Sequence, residues 1–507
     1  MKDTRKKELI DHVRTREAPS PTGLPHVGTA LQVLFNWVFA RRYEGKFIVR
    51  IEDTDKKRFV EGSEEGIMEA IEWLSLEPDE SINNEGPYGP YRQSDRLDIY
   101  KKHAKKLIDQ DHAYYCFCTE DRLTKMRQEQ SKKHLPPKYD GKCKSLSKEK
   151  VKEKLNKKEP YVIRLNVPSN RTIIVNDMLR GEVKFDSNIV DDQVLIKSDG
   201  FPTYHLAVVV DDHLMKITHM KRGEEWLPSA PKHILLYEFF GWVPPKMIHM
   251  PTLRNADRSK LSKRKGNTSL WWYREQGYLK DALLNFLALL VWLPKDQREF
   301  FSKEEMIEEF EFKQIKLTGP YFDTKKLSWM NGNYIRKMES SKLLKEIENW
   351  ANWVIKKGSD KKIIKGAKKL LKWFKKDEKI YQSAVELAQQ RLKILGELPE
   401  LISFYFTSEL DYDLADLLQG QNSSKVKTAL LAVIDELKKL KEYSNSSWEQ
   451  TIRTTADKHD LSHKNLFMSL RSAVTAQKFT PPLYDVMNVL GLPESFKRIQ
   501  RAANKLK

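Results

Sequence analysis

The sequence predicts an α/β protein: a parallel sheet interrupted by an inserted α+β module and followed by an all-α C-terminal region. Three observations predict it. Strand-like and helix-like segments alternate over the first hundred residues, the βαβ rhythm of a parallel sheet. The rhythm breaks near Tyr100 and resumes near Tyr204, with lysine-rich helices and a cysteine cluster between. Beyond about Asn255 the apolar spacing is almost wholly helical.

Each element follows from local pattern. A Pro/Gly-rich stretch, Ala18 to Gly28, leads into a helix whose Ala30, Val33, Leu34, Trp37 and Val38 share a face. An extended run comes next at Lys46 to Ile51, then an amphipathic helix at Glu64 to Leu74. The inserted module, Tyr100 to Asp199, carries short β-rich pieces at Tyr161 to Val167 and Val194 to Ile196. Strand-like apolar sequence returns at Tyr204 to Val210, and helix and strand signals continue to Leu253. Ala282 to Leu293 reads as a buried core helix; it contains Asn285 and falls short of the roughly 20 apolar residues that span a bilayer. Lys361 to Phe374 sets Ile363, Ile364, Ala367, Leu370, Leu371 and Phe374 on one face and lysines on the other. Gln421 to Ser424 reads as a linker into a helix over Lys425 to Leu440, and the tail from Leu466 to Ala503 is helical, broken by Pro481, Pro482 and Pro493.

The chain has 507 residues, enough for three or four domains, and no internal repeat. Lys and Arg number 90 against 71 for Asp and Glu, a formal net charge of +19. Such a surplus fits either a polyanionic partner, most simply nucleic acid, or general solubility. Three cysteines, an odd number, argue against a disulfide scaffold, and the charged N-terminus lacks the apolar stretch of a signal peptide. These features lead us to expect a soluble cytoplasmic protein without a membrane partner.

Two motifs carry chemistry. Ser20-Pro21-Thr22-Gly23-Leu24-Pro25-His26-Val27-Gly28-Thr29 is a glycine-punctuated turn running into a helix N-terminus, which offers N–H groups and a positive dipole end to an anion. His26 can add a hydrogen bond or a charge to a phosphate, and Gly28 leaves room for a flat base against the backbone. Lys260-Leu261-Ser262-Lys263-Arg264-Lys265-Gly266 clusters cations on a glycine-containing loop, suited to charge that develops on a departing pyrophosphate. Either motif alone reads equally as a structural turn or a solvated basic loop.

In this order, separated by an insertion, the two resemble the signatures of the class I aminoacyl-tRNA synthetases, and the chain resembles their glutamyl branch along nearly its whole length. The resemblance extends through Arg16-Glu17-Ala18-Pro19, Arg50-Ile51-Glu52-Asp53-Thr54-Asp55, Gly86-Pro87-Tyr88, Tyr91-Arg92-Gln93-Ser94, Pro202-Thr203-Tyr204, Val210-Asp211-Asp212 and Arg222-Gly223-Glu224-Glu225-Trp226. The glutaminyl relatives have Glu-Pro-Asn-Gly where this chain has Ser20-Pro21-Thr22-Gly23, and lack the arginine corresponding to Arg222. A shorter paralogue that glutamylates a tRNA base ends soon after the catalytic core, unlike this chain. Two positions depart from the pattern: Thr29 stands where the general class signature has histidine, and Val208 where some members place an asparagine near the substrate.

The resemblance implies a Rossmann-type parallel-sheet catalytic domain in two halves, residues 1–99 and 201–254. It implies an acceptor-stem-binding α+β insertion at 100–200, a stem-contact domain at 255–336 and a helical anticodon-binding region at 337–507. It implies ATP-dependent ligation of L-glutamate to the 3′-terminal adenosine of tRNA(Glu) through a glutamyl-adenylate, with Mg²⁺, by a monomer. Arg16, Ser20, Glu52, Tyr204 and Arg222 would bind glutamate; His26, Gly28, Glu225, Trp226, Lys260 and Lys263 would handle ATP, with His26, Lys260 and Lys263 catalytic. Relatives that bind zinc in the insertion use Cys-x-Cys and a later cysteine, plus a histidine two residues after it or a tyrosine four before. Here Cys116, Cys118 and Cys143 fit, the histidine position is Ser145, and Tyr139 fits as fourth ligand of a structural Zn²⁺.

Overall fold

A computed structural model describes residues 13–259, 261, 268–407 and 409–507. The chain divides into two compact units: one of residues up to 272 with 283–323, the other of 273–282 with 324–507.

The first unit is built on nine strands: β1 (Arg14–Glu17), β2 (Lys46–Val49), β3 (Ala113–Cys116), β4 (Val162–Leu165), β5 (Thr172–Asp177), β6 (Gly181–Asp186), β7 (Val194–Ile196), β8 (His219–Gly223) and β9 (Lys246–Met250). Six form one sheet in the order β2-β1-β8-β9-β5-β6, parallel throughout except for the β5–β6 hairpin. The other three form a small antiparallel sheet, β3-β4-β7. Residues 172–186, which the sequence reading placed in the module 100–200 without assigning strands there, form a hairpin. It instead extends the parallel sheet, so the module returns to that sheet before Asp199.

Helices α1 (Val27–Arg42), α2 (Ser63–Trp73), α3 (Leu97–Asp109), α4 (Glu120–Lys132), α5 (Lys148–Asn156), α6 (Tyr204–Leu214) and α7 (Ala230–Phe240) connect the strands. The segment read as a strand at Tyr204 to Val210 is the helix α6. Every residue from Leu206 to Asp212 is buried, so the helical period leaves no polar face to betray it, and the run Val208-Val209-Val210 carries strand propensity. Val208 is fully buried in a cluster with Tyr100, Leu235 and Leu236, which settles that departure as core packing.

β8 is buried at every position. The two-residue period of a strand sends Lys221 toward α1, where its Nζ donates to the Gln32 carbonyl at 2.9 Å, and Arg222 toward α6 and α7. β1 does the same: Thr15 and Glu17 meet Asn36 of α1, while Arg16 meets Asp212 of α6. β1 has β2 on one side and β8 on the other, so the chain reverses its winding there. The crevice at the carboxyl ends of such strands is where open parallel sheets bind ligands.

The second unit is helical. Leu279 and Ala282 share its core with Ile335, Leu343, Trp350 and Leu370. The Glu275 carboxylate accepts the Asp360 N–H at 2.7 Å, and Asp360 caps the helix Lys361–Lys376 by accepting from Lys362 N–H at 2.8 Å. That helix buries Ala367, Leu370 and Trp373. Phe374, assigned to the apolar face by spacing, is 37% exposed, and Trp373 takes the core position by stacking on Phe406. The boundary expected at 336/337 falls at 323/324, because helix Thr324–Lys337 packs with the C-terminal helices. Among the described residues, no helix is long and apolar enough to cross a membrane.

Candidate functional site

A cavity of about 1160 Å³ opens at the carboxyl ends of the parallel strands. Arg16, Ser20, His26, Gly28, Glu52, Tyr204, Arg222, Glu225 and Trp226, nine positions separated by up to two hundred residues in sequence, all line it. Lys260 and Lys263 lie outside the described residues; Leu261 between them reaches the cavity wall.

The first motif folds as its composition dictates. Gly23 sits at φ +139°, a backbone that side-chain-bearing residues avoid, and turns the chain toward α1. His26 is the N-cap of α1, and its Nδ1 accepts the Gly28 N–H at 2.9 Å. That bond leaves the ring proton on Nε2. A Cβ at residue 28 would lie 2.8 Å from the His26 ring, so only glycine lets the imidazole fold over the helix start.

An ion network supports the residues expected to bind glutamate. Asp212 accepts from Arg16 Nε and Nη2, both at 3.1 Å, and from Arg50 Nη1 at 2.8 Å. Burial opposes its ionisation, but the two guanidinium groups outweigh that and hold its carboxyl below the usual range. Asp211 accepts from Arg96, Gln93 and Tyr100 at 2.8 to 2.9 Å. Glu52 is held by Arg50 Nη2 at 3.0 Å; burial pushes its carboxyl above the ordinary value despite Arg50 and Arg16. Arg16 therefore faces the cavity with most of its fork committed to Asp212. Removing one member of such a buried network typically costs about 3–5 kcal/mol.

Arg222 is placed differently. Its Nε donates to His249 Nε2 at 2.9 Å, and its Nη1 lies 3.1 Å from both the Tyr204 hydroxyl and His233 Nδ1. Its Nη2 is buried and has no hydrogen-bond partner among the described residues. Burial pushes His233 well below its ordinary pKa and lowers His249 as well, so both rings are neutral. The guanidinium is thus enclosed by neutral acceptors, with Nη2 buried and unpaired among the described residues. Trp226 lies against the Tyr204 ring at 4.3 Å and is 37% exposed at the cavity mouth.

Several of these supports were not assigned from sequence. Arg50, Gln93 and Asp212 stood in the matched motifs without a role. His233, His249 and Asp177 gave no signal, because they reach Arg222 from α7, β9 and β5 through the fold alone.

The cysteines converge at the end of β3. The Cys116, Cys118 and Cys143 sulfurs all lie within 4.8 Å of one another, and the Tyr139 hydroxyl is 3.4 Å from Cys116 and 3.3 Å from Cys118. Tetrahedral zinc with Zn–S near 2.3 Å separates its sulfurs by roughly 3.8 Å, so this donor set fits a Cys₃Tyr site. Gly141, at φ +74°, makes the turn that returns Cys143 to Tyr139, and Ser145 is exposed with its hydroxyl donating to the Lys142 carbonyl at 3.3 Å. Arg122 Nη1 donates to Cys118 Sγ at 3.3 Å and the Arg164 guanidinium lies 4.1 Å from the Tyr139 ring centre, cations that offset the charge of anionic ligands.

Residues 12–329 match the family of class I tRNA synthetases (E and Q), catalytic domain, and residues 364–503 match an anticodon-binding domain. A glutamate–tRNA ligase of Fusobacterium nucleatum subsp. nucleatum is 42% identical over 97% of this chain and 98% of its own. One from Pseudomonas putida is 42% identical over 97% and 96%. The crystal structure of a glutamate tRNA ligase from Elizabethkingia meningosepticum, in complex with its amino acid, superposes with a TM-score of 0.84 at 34% identity, covering 98% of this chain and 100% of that one.

Proposed function

Because this chain belongs to the glutamate–tRNA ligases of class I, we propose how its own residues carry out that reaction. The chain is an ATP-dependent enzyme that aminoacylates tRNA with glutamate. In the first step the glutamate α-carboxylate attacks the α-phosphorus of ATP, forming glutamyl-adenylate and releasing pyrophosphate. In the second, the 2′-hydroxyl of the terminal adenosine of tRNA(Glu) attacks the adenylate carbonyl and AMP departs. Mg²⁺ carried on the nucleotide phosphates shields their charge from the incoming carboxylate.

The substrate ammonium sits against Glu52, with Ser20 and the remaining N–H of Arg16 on the α-carboxylate side. Tyr204 lines the pocket. The side-chain carboxylate takes the unpaired Nη2 of Arg222, the observation that carries the reading: a buried guanidinium with no carboxylate hydrogen-bonded to it among the described residues is complementary to an anion that arrives with the substrate. His26 Nε2 and the N-terminus of α1 face the phosphates, Gly28 leaves its backbone bare for the base, and Glu225 and Trp226 complete the nucleotide side. Lys260 and Lys263 supply charge as pyrophosphate leaves.

Cys116, Cys118, Tyr139 and Cys143 hold a Zn²⁺ that is structural, since four protein ligands leave no open position for chemistry. The lysine face of helix Lys361–Lys376, most of which lies in the segment matching the anticodon-binding domain, supports tRNA backbone contact there. We read the enzyme as a cytoplasmic monomer, one chain carrying both the catalytic sheet and the anticodon-binding helices.

Arg222→Gln tests the assignment. The variant is expected to lose roughly 10²–10⁴-fold in kcat/KM for glutamate in tRNA charging, the equivalent of about 3–5 kcal/mol for an unpaired buried charge. Near-normal kcat/KM would remove Arg222 from the role.

A further inference from the structure

Two residues beside Arg222 have no part in the reaction above, yet their geometry governs it. Asp177 Oδ2 lies 2.6 Å from His249 Nδ1 and also accepts the His249 backbone N–H at 3.0 Å. The other oxygen of Asp177 accepts the N–H groups of Leu179 and Arg180 at 2.9 and 3.0 Å. A carboxylate so fixed can only accept, so the His249 proton stays on Nδ1 and Nε2 presents its lone pair. That lone pair takes the Arg222 Nε–H at 2.9 Å. His233 obeys the same logic. A guanidinium has no acceptor, so His233 Nδ1 must accept from Nη1, and Nε2 must donate to His205 Nδ1 at 3.1 Å.

We propose that Asp177 and His249 form a positioning relay that fixes the plane of the Arg222 guanidinium while keeping the Asp177 carboxylate one imidazole away from it. The inference rests on the reading of Arg222 as the reader of the substrate side-chain carboxylate. A carboxylate placed directly on Arg222 would occupy Nη2 and neutralise the guanidinium. A carboxylate behind a neutral histidine orients the fork and leaves its charge for the ligand. Asp177 and His249 are thus positioning residues for the choice of glutamate over its amide.

The test is tRNA-dependent pyrophosphate exchange with the full-length enzyme, varying glutamate and ATP separately. His249→Asn keeps an amide near Asp177 but has no atom at the Nε2 position. It is expected to raise KM for glutamate roughly 10–100-fold, the usual effect of losing a hydrogen bond to a charged group, with KM for ATP within about two-fold. His249→Gln, whose amide oxygen reaches the Nε2 position, is expected to recover most of that loss. An unchanged KM for glutamate in His249→Asn, equal rises for glutamate and ATP, or a glutamine variant no better than the asparagine one would overturn the relay. Arg222→Gln in the same assay separates the two readings. If it leaves KM for glutamate unchanged, the assignment of Arg222 fails; if it alone is impaired, only the relay fails. Imidazole ¹⁵N shifts of the wild-type enzyme, with His249 assigned by difference, provide a check independent of variant folding. A neutral ring protonated on Nδ1 is expected, and an Nε2–H tautomer or an imidazolium would contradict the relay.

Discussion

Glu52 and Arg222 are the two buried side chains to which the proposed reading assigns opposite ends of one zwitterion. Glu52 is almost wholly buried, and burial raises its pKa although Arg50 and Arg16 pull it down. Only its ionised form can hold an ammonium group. Because the pKa lies above the ordinary carboxylate value of about 4.3, protonation begins at a higher pH than for an exposed glutamate. KM for glutamate is therefore expected to rise as the pH falls on the acid side, and the bound ammonium to pull the pKa back down. Glu52→Gln is expected to raise KM by roughly 10²-fold and to flatten that acid limb. A limb that persists unchanged in the variant would assign the titration to another group. The turn from Ser20 to Thr29 into a helix was legible in sequence because it is local: its glycines and the start of its helix lie within ten residues. The setting of Arg222 was not, because its acceptors arrive from α6, α7 and β9 and their orienting carboxylate from β5.

At the scale of elements, the informative departures are β5 and α6. Asp177 ends β5, a strand the sequence reading left inside the inserted module, and its register beside Met247 brings it to His249 two residues along β9. No local pattern states which sheet a strand joins. α6 was misread for a related reason: a helix buried on all sides loses the alternation that reveals a helix. The module that remains is organised around β3, where the Cys-x-Cys pair was legible because three cysteines in 507 residues leave few chance pairs. Protein purified without added zinc is expected to contain close to one Zn²⁺ per chain, with its thiols protected from a thiol reagent. Cys143→Ser is expected to lose the metal and several degrees of thermal midpoint. A stoichiometry near zero with all three thiols reacting freely would mean that the site does not bind metal.

For the whole molecule, the sequence carried the class of each region better than its limits. The parallel sheet and the helical C-terminal region follow from periodicity, while the boundary does not, because it is set by which core a helix joins. Helix Thr324–Lys337 buries Leu327, Met330 and Ile335, and Ile335 lies in a core with Leu279, so the second unit includes a segment, 273–282, from the C-terminal part of the catalytic-domain match. The two units divide the labour that the net charge of +19 suggests: a cavity that activates a small zwitterion, and lysine-faced helices that suit an anionic backbone. On the proposed reading, selection of the amino acid falls to the cavity, and within it to the unpaired Nη2 of Arg222. The most direct measurement is charging of purified tRNA(Glu) with labelled glutamate and labelled glutamine, at equal concentration with ATP and Mg²⁺. Glutamate is expected to be esterified with at least roughly 10³-fold higher kcat/KM than glutamine, since the amide leaves the buried guanidinium without a counter-charge. Esterification of glutamine at a comparable rate, or no esterification of glutamate at all, would contradict the assignment of this cavity.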